Sequence, residues 1–251
     1  MQLIDKKLVE NNAITESVAP GEDNEIYYKM LKWFHNNYPQ HMDRYIQSIS
    51  PNQLNGKRWL INSLDDVQIP RDEEGKFKIE IIGGWFGFPI IDMLINKYGD
   101  EIREIDYFDV DGFASHVFTV YLSMWKKDMR NIKIFSNEEG DYFKYEKKRR
   151  AHLIINTSCE HMSDMKLMKE YYFDADRTLL ALQSNNKTNE DDHINCVNST
   201  EELAAQADVH TILGDWKTMK TETVVYHPNG PDEKEIDYWN RYMVFGKWDK
   251  E

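Results

Sequence analysis

The 251-residue chain is predicted to be an α/β protein: a seven-stranded, mainly parallel, doubly wound sheet with a C-terminal antiparallel hairpin, preceded by an N-terminal helical segment. Three observations lead there. Short apolar runs alternate with helical patterns from Lys78 onward. The first run ends in the glycine-rich turn Gly83-Gly84-Trp85-Phe86-Gly87 ahead of a helix. The last two runs are joined by a polar stretch without a helical pattern. Strands alternating with helices imply right-handed crossovers and parallel neighbours, whereas a connection too short for a crossover implies an antiparallel pair.

Residues 1–20 carry no clear pattern and end at Pro20-Gly21. Over 25–49, Tyr28, Leu31, Trp33, Phe34 and Tyr38 recur at near-helical spacing, interrupted by Pro39. Residues 1–56 are therefore read as a helical lead-in or cover, and 57–251 as the main domain. Strands are expected at 78–82, 105–108, 132–135, 152–155 and 178–182, then at 223–226 and 242–245 for the hairpin. Pro89 suits the first turn of a helix carrying Ile90, Ile91, Leu94 and Ile95. Phe113, Val117, Val120, Tyr121, Met124 and Trp125 share one helical face. Ser199 and Glu202 form a capping-box pattern ahead of Leu203 and Ala204.

Composition narrows the function. With 41% apolar and 30% charged residues the chain has the makeup of a globular protein. No apolar run approaches the roughly 18 residues of a membrane span, and the first residues lack the core of a secretory signal. Two cysteines, Cys159 and Cys196, do not make a disulfide framework, so a reducing cytoplasm is the expected setting. A formal net charge of −13 argues against nucleic acid as partner. The one basic cluster, Lys144, Lys147, Lys148, Arg149 and Arg150, reads as a solvated face. The expected partner is a small molecule; the sequence leaves the oligomeric state open.

The chemistry-bearing residues gather at strand ends. Glycines in the 83–87 turn let backbone approach a ligand, and the following helix N-terminus offers N–H groups. Asp109 lies 22 positions after Gly87, near the spacing of about 20 at which a carboxylate meets a ribose diol. Asp109 and Asp111 could equally cap the helix that starts at Gly112. After the third strand, Glu138 or Asp141 could meet an adenine amino group and Tyr142 or Phe143 stack on its ring. The fourth strand ends in Asn156-Thr157-Ser158-Cys159-Glu160-His161-Met162, with Glu160 and His161 as candidates for general base and substrate orientation. Gln183 and Asn185 at the fifth strand end suit hydrogen bonding to a polar substrate. Both polar strand ends could instead satisfy backbone groups at the sheet edge. Cys159, His161, His193 and Cys196 contain the two-sulfur, two-nitrogen set of zinc, but neither half has a standard zinc spacing. The reading is a polar pocket without a metal.

Glycine turn, acid-ended second strand, Gly140-Asp141 after the third, polar end to the fourth and terminal hairpin together resemble the Rossmann-like (class I) S-adenosylmethionine-dependent methyltransferases. The resemblance runs from about Lys57 to Trp248. It implies the strand order 3-2-1-4-5-7-6, with S-adenosyl-L-methionine over the first two strands. By position, Gly83, Gly84 and Gly87 would cradle the methionine part and Asp109, with Asp111 nearby, the ribose. Asp141 and Tyr142 would hold the adenine, with Asn156 also on the cofactor side. The family's acid two residues before the first glycine is Ile81 here, with Glu80 one place off, and Trp85 replaces a glycine. The implied function is methyl transfer to a small polar acceptor. Alternatives are transfer of another group from the same cofactor, NAD-dependent oxidoreduction, or non-catalytic nucleotide binding. Asp109→Ala is expected to weaken cofactor binding with little effect on stability.

Overall fold

The structure, a computed structural model, describes residues 24–124, 132–137, 148–163, 165–225 and 233–250. Its strands are β1 (Phe77–Ile82), β2 (Ile102–Phe108), β3 (Lys133–Asn137), β4 (Leu153–Asn156), β5 (Leu179–Asn185), β6 (His210–Val225) and β7 (Glu233–Lys247). They form one sheet in the order β3-β2-β1-β4-β5-β7-β6, the order the resemblance implies. The first five strands run parallel, and β7 is antiparallel to both β5 and β6.

The central strands are covered on both faces, which is why they read as unbroken apolar runs. Ile79, Ile81, Ile105, Tyr107, Leu153, Ile155, Ala181 and Phe245 face one core. That core is closed by α1 (Asn24–Asn37), α2 (Met42–Ser48), α3 (Pro51–Ser63), α4 (Ile90–Tyr98) and α5 (Gly112–Met124). Ile82, Ile154, Leu180, Leu182 and Val244 face the second, under α6 (Thr200–Ala207), the 3-10 turns of Met165–Tyr171 and Trp248. No helix among the described residues is long and apolar enough to cross a membrane.

The N-terminal helix is present, with a shifted stripe. Ile26, Tyr27, Met30, Leu31 and Phe34 are buried, whereas Tyr28 is 59% exposed. Pro39 opens a short 3-10 turn between α1 and α2. α3 begins on Pro51 and runs past residue 56, and its Trp59, Leu60 and Ile61 join the same core as β1. The lead-in helices and this face of the sheet thus share one apolar interior.

The capping box at α6 forms with one variation. Ser199 Oγ accepts from Glu202 N–H at 3.1 Å, but the Glu202 carboxylate reaches the N–H of Asn198, at 2.6 Å, one residue before the cap. Ser199→Ala should cost about 1 kcal/mol in urea unfolding; an unchanged midpoint would show that water replaces the cap.

The hairpin is much longer than the sequence predicts. β6 and β7 pair from His210↔Lys247 to Val225↔Glu233, whereas β5 reaches only Arg241 to Gly246 of β7. Residues 233–240, read as a loop, are strand. The reason is solvent: Trp216, Ile236 and Tyr238 are exposed on one face and the other is buried at the Met219–Trp239 pair, too short a patch to impress an alternating pattern on this ribbon.

Candidate functional site

The turn after β1 is built by packing within the protein. Gly83, Trp85 and Gly87 have positive φ of 61°, 53° and 77°. A Cβ on Gly84 would lie 2.6 Å from the Tyr107 ring, and one on Gly87 2.3 Å from the Phe118 ring. Those rings, from β2 and α5, stack with centroids 4.0 Å apart. Gly84 and Gly87 therefore admit aromatic side chains of the neighbouring elements. Gly83 faces the β4 loop, where Ser158 Oγ donates to its carbonyl at 3.1 Å.

Asp109 stands one residue beyond β2 and accepts two backbone hydrogen bonds. Trp85 N–H donates to Oδ2 at 2.7 Å and Asp111 N–H to Oδ1 at 2.9 Å. The left-handed Trp85 thus joins the glycine turn to the acid. A carboxylate has about four acceptor positions, so two remain for a ribose diol. Burial pushes the Asp109 carboxyl up to about 6, against the lowering effect of the two N–H groups. The remaining acceptor positions fit the two hydroxyls of an adenosyl ribose.

Asp111 has a different setting. It pairs with Arg44 of α2, and its Oδ1 accepts from Phe113 N–H at 2.8 Å, capping α5. Burial would raise its pKa, but the Arg44 hydrogen bond and charge, with the N–H groups of Phe113 and Ala114, bring it below the usual carboxylate value. The Arg44 guanidinium also lies 5.5 Å and 5.4 Å from the Phe86 and Phe113 ring centroids. Arg44 was not legible in the sequence as part of this corner. It ties the helical lead-in to the acid-ended strand.

Glu80 points to the other sheet face. The β1–β2 register is regular from Lys78 to Ile82, so no bulge turns it toward the glycine corner. Its carboxylate accepts from Tyr172 Oη at 2.5 Å and lies 3.8 Å from Arg149 Nε. Burial raises its pKa despite both partners. Arg149, read as part of a solvated basic face, is instead in an ion pair with Glu80 and only 10% exposed at its side chain.

Beyond β4, Asn156 is buried; its Oδ1 accepts from Ser158 N–H at 2.9 Å and its Nδ2 faces Met162 Sδ. Cys159 is buried with its thiol 3.6 Å from the Asn156 carbonyl, and burial holds the thiol well above its usual pKa. It turns away from the histidines and belongs to the second core. Glu160, 5% exposed, accepts from Asn185 Nδ2 at 2.7 Å. His161, with 38% of its side chain exposed, approaches the His193 ring to 4.7 Å between centroids. Cys196 Sγ lies 3.9 Å from His193 Nδ1. Of the four Cys and His residues, the fold thus gathers His161, His193 and Cys196. Glu138, Asp141, Tyr142 and Phe143, assigned to the adenine, lie outside the described residues.

Next to these side chains and the predicted Gln183 stand two buried basic residues, Lys57 and Arg241, that had no sequence signal. Gln183 Nε2 donates to the Gly56 carbonyl of α3 at 3.0 Å, and Arg241 of β7 pairs in register with Asn185. Lys57 of α3 is 3% exposed and Arg241 5%. Burial, and then the Arg241 charge, pushes the Lys57 amine down to about 7. Its native pKa lies below the unfolded value, so stability should rise with pH from about 7 toward 10. Lys57→Met should remove that slope in thermal melts across this range; a slope that persists would place its origin elsewhere.

No family model matches the chain, and no curated protein sequence is similar to it. Solved structures are similar in fold. The YcgJ protein from Bacillus subtilis superposes with a TM-score of 0.53 at 11% identity, covering 78% of this chain and 99% of its own. An S-adenosylmethionine-dependent methyltransferase from Aquifex aeolicus gives 0.50 at 15% identity, covering 79% and 93%. At such identities the likeness is one of fold.

Proposed function

We propose that this chain, built on the fold of the class I methyltransferases, transfers the methyl group of S-adenosylmethionine to a small polar acceptor. The observation that carries the reading is Asp109. It is a carboxylate at the end of the second strand, anchored by two N–H groups of the adjacent turn, with acceptor capacity to spare. When bound, the cofactor supplies an electrophilic methyl carbon. Asp109 accepts from the ribose hydroxyls, and Asp141 and Tyr142 are assigned to the adenine. The turn of Gly83, Gly84 and Gly87 sets the backbone against which the methionine part lies. Asp111 acts indirectly, holding Arg44 and the start of α5 in place.

On the acceptor side, Glu160 is held by Asn185 and stands within 4.0 Å of His161 Nε2. His161, the more exposed of the two, can take a proton from an acceptor hydroxyl or amine, with Glu160 orienting it. Gln183 and Asn185 stand at the same strand end, Gln183 held by the Gly56 carbonyl of α3 and Asn185 by Glu160. Alignment of acceptor and methyl carbon is the larger part of the catalysis expected here.

Calorimetric titration with S-adenosylmethionine, S-adenosylhomocysteine and NAD in parallel tests the reading. Micromolar binding of both adenosyl compounds and none of NAD is expected. Binding of NAD alone would replace methyl transfer with oxidoreduction, and binding of none of the three would leave a fold without this cofactor.

A further inference from the structure

Three side chains from two loops meet beyond the ends of β4 and β5. Glu160, His161 and His193 each bring one potential ligand atom within 4.8 Å of the others. Both imidazoles are oriented from behind. His161 Nδ1 lies 3.1 Å from the Asp192 carbonyl, and His193 Nδ1 lies 2.7 Å from the Lys187 carbonyl. A carbonyl only accepts, so Nδ1 carries the hydrogen in each ring and Nε2 presents a lone pair. Backbone carbonyls on Nδ1 are the outer contacts that metal-binding histidines use.

The carboxylate is prepared in the same way. Glu160 Oε1 accepts from Asn185 Nδ2 at 2.7 Å, whereas Oε2 is buried without a hydrogen-bond partner. The buried Arg241 is one cationic neighbour of Glu160, but no hydrogen bond reaches Oε2, and a buried carboxylate oxygen left without one is costly. The nearby His161 leaves this oxygen unsatisfied, its Nε2 being 4.0 Å from Oε1.

We infer that Glu160, His161 and His193 form a binding site for a divalent transition-metal ion of the zinc type. Two imidazoles and one carboxylate are a three-ligand set that leaves a coordination position open. Magnesium and calcium prefer all-oxygen surroundings and fit it poorly. Ligands about 2.1 Å from zinc stand roughly 3.4 Å apart in a tetrahedron, so small side-chain rotations close the cluster. Cys159 is excluded by its burial in the second core, and the carboxylate takes its place. The inference goes beyond the proposed methyl transfer, since binding requires neither cofactor nor acceptor. With an ion bound, Glu160 and His161 are its ligands, and an acceptor oxygen would meet the open position instead of a free imidazole.

The test uses the full chain, stripped with a chelator and titrated calorimetrically with zinc and, separately, magnesium. One equivalent of zinc should bind with micromolar or tighter affinity, and magnesium should not bind. Cobalt at one equivalent should give the visible bands of a four- or five-coordinate ion. His193→Ala and His161→Ala should each weaken zinc binding by about 10–100-fold or more, and the His161 variant, altered at an exposed side chain, should keep the wild-type melting curve. Asp109→Ala should bind zinc as the wild type does. Absence of stoichiometric zinc binding, or binding unchanged in both histidine variants, would overturn the site. Neither result bears on adenosyl-compound binding, which is measured on the metal-free protein.

Discussion

Gly87→Ala should destabilise the protein by about 2–5 kcal/mol, a large share of the stability of an ordinary domain. Two terms add. Gly87 has φ of 77°, in the left-handed region where an alanine costs about 1–2 kcal/mol. Its new Cβ would also stand 2.3 Å from the Phe118 ring, which is fully buried and stacked on Tyr107. Relief requires moving two packed rings, an overpacking cost of about 1–3 kcal/mol. Gly75→Ala is the matched control: φ is 76° and nothing lies within 4 Å of the added carbon, so only the backbone term applies. Urea unfolding of both variants separates the two contributions. Equal losses would mean that Phe118 yields freely and that the corner is less tightly packed than its geometry states.

Asp109→Ala should weaken S-adenosylmethionine binding by about 10–100-fold, the loss of a charge-assisted hydrogen bond to the ribose. The structure also revises the expectation that this variant leaves stability untouched. Removing the carboxylate strips the acceptor from Trp85 N–H and Asp111 N–H. The ionised group is itself costly to bury, so the net loss should be about 1–2 kcal/mol, less than two bonds in full. The native pKa near 6 lies above the unfolded value. Native Asp109 therefore takes up its proton more readily than the unfolded chain does. The stability this contributes is present below about pH 4 and lost as pH rises through 6. Cofactor affinity runs the other way. If the ionised form binds the ribose, affinity should fall about tenfold between pH 7 and pH 5. Asp109→Asn should flatten that profile in the same titration. A wild-type affinity independent of pH over this range would remove Asp109 as the ribose acceptor.

The parallel strands were legible because they are buried on both faces: β4 and β5 are buried at every position, and such runs stand out against polar turns. The outer ribbon was not. Exposed on one face through Trp216, Ile236 and Tyr238, and buried on the other at the Met219–Trp239 pair, it carries too short a burial signal, and its pairing is held by backbone hydrogen bonds that any residues but proline supply. The glycine corner shows a mixed outcome. Its place in the chain was plain, but the reason for Gly84 and Gly87 lies in Tyr107 and Phe118, many positions away. Arg44, Lys57 and Arg241 bear no local mark at all, because each gains its setting from elements distant in the chain.

The acidic second strand end, the polar loop after the fourth and the alternation of strands and helices are properties of the sequence itself, set by local spacing and by the need to bury apolar runs. Only the tertiary structure decided which side chains share a site. Strand alternation alone sends Glu80 to the far face, and the regular register keeps it there; the tertiary structure sank Cys159 into the core and brought Glu160, His161 and His193 together, since the meeting of side chains from separate loops depends on packing, which no local pattern encodes.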